Sequence, residues 1–245
     1  MSGADPWDFL RRHTEARIAL GRSGNALPTD EVLAFQLAHA EARDAVHGRL
    51  DVSVLETQLT DAGISLPVVS VASGATDRAE FLQRPDLGRL LDVDADVGQR
   101  EEWDVVFVLA DGLSARAVME NGVATLAAAL SHLESWTVAP VVIAEQARVA
   151  LGDPIGEALG AKLSVMLIGE RPGLSAADSL GAYLTFGPRT GRQNADRNCV
   201  SNIREKGLMP EEAGHKIAYL LGIARSMGLT GVALKDDAPM RVTGS

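Results

Sequence analysis

The chain has 245 residues, 46% of them hydrophobic and 23% charged, and a formal net charge of -10 at neutral pH. That length and balance allow one large domain with a real core, or one domain plus a helical appendage. The acidic balance argues against a nucleic-acid surface and against binding to anionic membranes, both of which need clustered lysine and arginine. No apolar run approaches the roughly 20 residues of a membrane span. The opening MSGADPWDFLRRHTEAR has no apolar stretch behind its charges and does not read as a secretory signal. Cys199 is the only cysteine, which excludes an intrachain disulfide and fits a reducing cytoplasm.

In chain order, residues 6–20 predict a helix, with Asp5 as its cap, Pro6 in its first turn and Trp7, Leu10, Ile18 and Leu20 as apolar points. The loop GRSGNALPT follows. Thr29, Asp30 and Glu31 open a second helix through about Leu50, whose apolar face is Val32, Leu33, Phe35, Leu37 and Ala38. Its His39 and His47 lie among Glu41, Arg43 and Asp44 and read as solvated or pairing residues. A third helical piece covers 51–62. At Leu66 the pattern changes, and strands then alternate with helices. LPVVSVASGA is a strand; DRAEFLQRPDLGRLLD is helix, a break at Pro85, then helix; WDVVFVLADG is the clearest strand. A helix interrupted at Gly122, the strand VAPVVIAEQARV, a loop and helix in GDPIGEALGAK, and the strand LSVMLIG come next. GAYLTFG and GVALKD are candidate late strands around a helix at 210–227. Strands separated by helix-length segments call for a parallel sheet with right-handed crossovers. The expected organisation is a helical region over 1–64 and an α/β sheet domain over 65–245.

The run at 163–168 is nearly continuous and apolar, as a strand buried on both faces requires. It stops at Gly169, Glu170, Arg171, Pro172 and Gly173, so a charged pair stands just past the carboxyl end of a central strand. In open α/β sheets ligands bind at that edge; the alternative is an ordinary turn with a solvated Glu-Arg pair. The other strand-end groups are Ser73-Gly74, Asp111-Gly112, Arg148-Val149 and the run GRQNADRNCVSNIREKG, residues 191–207. That run is dense in Arg, Asn and Asp and contains Cys199. It reads either as a flexible polar surface loop or as a cradle of amide and guanidinium donors for a ligand rich in carbonyls or phosphate. The five histidines show no paired spacing, and there is no HExxH, CxxC, GxSxG or GxGxxG. Residues alone lead to an α/β domain that binds a polar ligand at its strand ends.

Five stretches go further: DPWDFLRRHTEARIALGRSGNALPT, LQRPDLGRLL, VLADGLSARAV, LIGERPGLS and DRNCVSNIREKG, spanning residues 5 to 207. Together they resemble the small subunit of ethanolamine ammonia-lyase, which converts ethanolamine to acetaldehyde and ammonia. The resemblance implies a Rossmann-like domain over one face of adenosylcobalamin, and a barrel-shaped large subunit as partner that supplies the substrate site. By motif, the implied cofactor contacts are Val149 in RVALGD, Glu170 in IGERPG and Cys199 in DRNCVSN. Cys199 would then be a close-fitting contact and not a nucleophile. Radical chemistry belongs to the cofactor, which explains why no acid-base cluster is visible. An Asp-x-His-x-x-Gly stretch, whose histidine replaces the cofactor's own base in many cobalamin mutases, is absent. The cofactor is therefore expected base-on. The family often carries a longer N-terminal extension, so plain cytoplasm is the expected location and a bacterial microcompartment the alternative. Two other functions compete: a stand-alone α/β nucleotide-binding or regulatory module, and a scaffold that only stabilises its partner.

Overall fold

A computed structural model of the chain describes residues 7–237. After a short helix α1 (Asp8–Arg11), two helices lead into the sheet: α2 (Thr29–His47) and α3 (Val52–Asp61). Then follow β1 (Val68–Ala72), α4 (Arg78–Gln83), β2 (Val105–Ala110), α5 (Ala115–Leu130) and β3 (Val141–Glu145). The rest is α6 (Gly152–Leu159), β4 (Leu163–Gly169), β5 (Leu180–Phe186), β6 (Arg197–Ile203) and α7 (Pro210–Met227). Single 3-10 turns stand at Leu87–Arg89, Val149–Leu151 and Asn194–Asp196. Side chains fix several helix starts: Asp51 accepts from the Val54 amide (3.1 Å), Asp77 from Glu80 (2.8 Å) and Ser114 from Ala117 (3.2 Å). Pro210 opens α7 and Gly228, at φ +68°, closes it.

The six strands form one sheet in the order β1-β3-β2-β4-β5-β6. The first four in that order are mutually parallel; β5 and β6 run antiparallel. The parallel expectation thus holds for β1 to β4 and fails beyond, because no helix separates β4 from β5 or β5 from β6. Short non-helical links return the chain antiparallel. Every residue of β2 and β4 is buried, which is why both read as unbroken apolar runs. Val105, Phe107 and Leu109 pack on one face against α5 and α7. Val106, Val108 and Ala110 pack on the other against Ile155 and Leu159 of α6. Each such side chain contributes about 1.5–3 kcal/mol by burial. Leu55 and Leu59 of α3, and Leu50 just before it, join the first of these clusters.

Several expectations change. The helix expected over 6–20 ends at Arg11, whose guanidinium donates to the carbonyls of Ile18 and Ala19 as the chain folds back. Thr14 accepts the Ala16 amide (3.1 Å), a local bond that competes with helix. The proposed cap Asp5 and Pro6 lie outside the described residues. Helix α5 runs through Gly122 unbroken: a Cβ there would meet Leu109 at 3.3 Å, so the glycine permits close helix-sheet packing. GVALKD is not a strand; Val232 is exposed and Gly231 turns at φ +90°. The apolar residues of α2 do not form a buried face. Val32, Leu33, Phe35 and Leu37 are exposed, and only Ala38 and Ala45 are buried. Finally, the run 191–207 contains a strand, β6. Its polar residues are used: Arg197 pairs with Asp153, and the Asn198 amide donates to the carbonyls of Gly231 (3.3 Å) and Leu234 (2.9 Å).

Candidate functional site

At the carboxyl end of β2, Asp111 is buried and accepts from the amides of Gln146 and Ala147 (2.9 Å each) and from Arg78 Nη1 (3.2 Å). Arg78 also donates to the carbonyls of Gly112 (2.9 Å) and Val46 (2.7 Å). One carboxylate thus joins β2, α4 and the loop after β3. It holds Gln146 in a left-handed conformation at φ +53°, a position that costs a non-glycine residue about 1 kcal/mol or more. Burial pushes the Asp111 carboxyl up to about 6, against the opposing pull of the Ala147 amide, Arg78 and the Gln146 amide. The crevice between β2 and β4 is closed by backbone: a Cβ on Gly112 would lie 2.3 Å from the Gly169 carbonyl, and one on Gly169 2.0 Å from the Ser114 carbonyl. Both positions need glycine for this approach. The Asp111-Gly112 loop is therefore structural, and the open ground lies to either side. Ser73 is also spent on its own turn, accepting from the Ala75 amide (3.2 Å).

On the antiparallel side, Glu170 is half-buried and lies over β5. It accepts from Ser179 Oγ (2.6 Å) and from the Asn202 amide (3.3 Å), and its side chain occupies the space that Gly181 leaves free. Asn202 adopts φ +58° to present that amide. Arg171 is exposed, so Glu170 and Arg171 do not form the solvated pair that a plain turn would carry. Pairing of Tyr183 with Cys199 across β5 and β6 brings Cys199 to the same face. Cys199 is exposed to solvent, yet partial desolvation by its neighbours raises its thiol above the usual range; the Tyr183 hydroxyl, donating to the sulfur, opposes this, and the Glu170 charge adds to it. Tyr183 is raised as well, by burial first and then by Cys199 and Glu170. At neutral pH Cys199 is a protonated thiol, poorly suited to nucleophilic attack.

Val149 begins the 3-10 turn after β3 and lines a cavity of about 380 Å³ with Arg89, Arg148, Ala150, Arg192, Gln193 and Asn194. The last three residues lead into β6, and Val149 and Tyr183, the cross-strand partner of Cys199, pack on the same buried cluster. Two neighbouring buried atoms have no hydrogen-bond partner: Gln146 Oε1, an acceptor, and Arg148 Nε, a donor. Such orphans are rare in folded proteins and call for a ligand or water. The structure therefore joins Glu170 with Cys199 and places Val149 at the adjoining cavity. The sequence reading missed Tyr183, Gln146, Arg89 and Arg192. Tyr183 was hidden because its role depends on register with a strand that polar composition concealed. Arg148 and Gln146 sat beside the Val149 position, and only the fold shows them unpartnered.

The fold is that of an α/β protein with a six-stranded mixed sheet, with polar and charged side chains gathered at its strand ends. The chain belongs to the ethanolamine ammonia-lyase light chain family, whose model matches residues 4–235. It is 50% identical over 236 residues to the ethanolamine ammonia-lyase small subunit of Rhodococcus erythropolis, covering 96% of this chain and 91% of the relative. The small subunit from Azotobacter vinelandii is 49% identical over 244 residues, covering 96% and 89%. That from Xanthomonas campestris is 50% identical over 250 residues, covering 98% and 91%.

Proposed function

We propose that this chain is the small subunit of an adenosylcobalamin-dependent ethanolamine ammonia-lyase and holds one side of the cofactor together with a large subunit. The observation that carries the reading is the identity of about half the residues over nearly the full length of chains named as that subunit. The four parallel strands with helices on both faces support a Rossmann-like relation for residues 65–245, with 1–64 as a helical lead. The residues present suit a corrinoid. Gln146 Oε1 is a free acceptor for peripheral amide N–H groups, Glu170 is a second acceptor, and Arg148 Nε is a free donor. Val149, Tyr183 and Cys199 offer apolar or close-fitting contact beside them. When bound, adenosylcobalamin supplies the radical chemistry that releases ammonia. This chain's part is to bind, orient and shield.

No Asp-x-His-x-x-Gly stretch occurs in the sequence, so we expect the cofactor base-on. Electron paramagnetic resonance of the cob(II)alamin state with nitrogen-15 labelled protein tests this. The spectrum should be unchanged by the label; splitting from a protein nitrogen contradicts it. The exposed apolar residues of α1 and α2, Phe9, Leu33, Phe35 and Leu37, support a covering partner, the large subunit. The decisive test of function is ammonia release from ethanolamine. Activity should require this chain, the large subunit and adenosylcobalamin together. Turnover by this chain and cofactor alone, or by the large subunit without it, overturns the proposal.

A further inference from the structure

Although the chain carries a net charge of -10, four arginines gather at one sheet edge. Arg89, Arg148 and Arg192 line the cavity beside Val149, and Arg171 lies close enough for its charge to act on Arg148. None of the ion pairs among the described residues uses any of the four. The nearest buried acid, Asp111, is already paired with Arg78. The Arg78 and Arg148 guanidinium groups both pack over the Phe81 ring, at 4.8 and 4.4 Å from its centroid, so Arg148 is held in place. Its Nε remains buried without an acceptor. Arg192 donates to the carbonyls of Gly187 (3.0 Å) and Phe186 (2.9 Å), which fixes it without neutralising it. A rigid cluster of like charges around a polar cavity, with donors to spare, is built for an oxyanion, and planar guanidinium forks match phosphate oxygens.

We propose that this cavity, bounded by Arg89, Arg148 and Arg192, takes the phosphodiester of the cobalamin's nucleotide tail, an assignment that rests on the cofactor reading above. Val149 lines the same cavity and would give the tail apolar contact beside the arginines. The same phosphate chemistry could come from free inorganic phosphate, and the experiment separates the two sources.

The test uses this chain in complex with the large subunit. Equilibrium dialysis compares cobalamin with cobinamide, which keeps the corrin and its amides but lacks the nucleotide and the phosphodiester. The exposed Arg89→Gln should weaken cobalamin binding by roughly tenfold or more while leaving cobinamide unchanged, and Arg148→Gln should weaken cobalamin at least about tenfold more than cobinamide. Arg89→Gln guards against misfolding, since Arg89 has no packing role comparable to that of Arg148 over Phe81. Equal loss for both corrinoids, or no loss for either, overturns the assignment while leaving the cofactor reading intact. A wild-type complex that binds neither corrinoid removes the cofactor reading itself and this assignment with it. Inorganic phosphate provides the last arm, read by protection of Arg148 from phenylglyoxal. If millimolar phosphate protects Arg148 and cobalamin does not, the cavity serves free phosphate and the tail assignment falls; protection by cobalamin and not by cobinamide supports it.

Discussion

Asp111 carries a large electrostatic load for one side chain. Its folded-state pKa of about 6 lies above the ordinary carboxylate value near 3.9. Between those pH values the folded state holds more protons than the unfolded one. The stability this group contributes is present in full below about pH 4 and is lost as pH rises through 6. A shift of roughly two units corresponds to about 2–3 kcal/mol. Chemical denaturation of wild type and Asp111→Asn at pH 4 and pH 7 should show the wild-type advantage larger at pH 4 by that order. An advantage that is equal at both pH values, or larger at pH 7, would mean that Arg78 keeps the carboxyl ionised throughout. Glu170 was legible as a strand-end acid from GERPG, expected either to face a ligand or to stand solvated beside Arg171. The bonds from Ser179 and the Asn202 amide change that expectation. Glu170→Ala should cost the apo-protein about 1–2 kcal/mol, because two donors lose a charged acceptor. It should also weaken cobalamin binding by roughly ten- to hundredfold. Ser179→Ala removes one clamp bond and keeps the carboxylate, so it should lower the melting temperature and leave cobalamin affinity near wild type. If Ser179→Ala lowers affinity as much as Glu170→Ala, Glu170 acts only through the clamp.

Among the elements, those with a single physical signal were the ones the sequence disclosed. Strands β2 and β4 are buried on both faces, so their composition alone marks them. Helix α7 was readable at both ends, where Pro210 and Gly228 stand. Strand β6 was not readable, because only Val200 and Ile203 among its buried residues are apolar, and the partners of its buried Arg197 and of Asn198 (Asp153, Gly231 and Leu234) are distant in sequence. Helix α2 misled in the opposite sense. Its apolar residues look like a core face, yet Leu33 and Leu37 are 58% and 62% exposed. Their exposure is what a surface covered by the proposed large subunit would show. Leu37→Asp should leave the isolated chain's melting temperature unchanged within about 0.5 kcal/mol of stability, as surface substitutions do. It should reduce co-purification with the large subunit. Normal co-purification would place the interface elsewhere.

At the scale of the whole molecule, the parts divide the work. The parallel strands and their two layers of helices supply rigidity. The antiparallel pair β5 and β6 adds a shelf on which Glu170, Tyr183 and Cys199 meet. Arg204, buried, pairs with Glu15 (2.6 Å) and Asp178 (3.5 Å), and so ties the leading segment to the turn after that shelf. An acidic chain in which Arg89, Arg148 and Arg192 meet at a single cavity is suited to one anionic ligand and not to a polyanion. The most direct test of this account is the equilibrium dissociation constant of cobalamin for the complex with the large subunit, measured beside that of a mononucleotide. The account expects saturable cobalamin binding that Glu170→Ala weakens at least about tenfold, with no mononucleotide binding at comparable concentration. Mononucleotide binding without cobalamin binding would contradict it and identify the chain as an α/β nucleotide module.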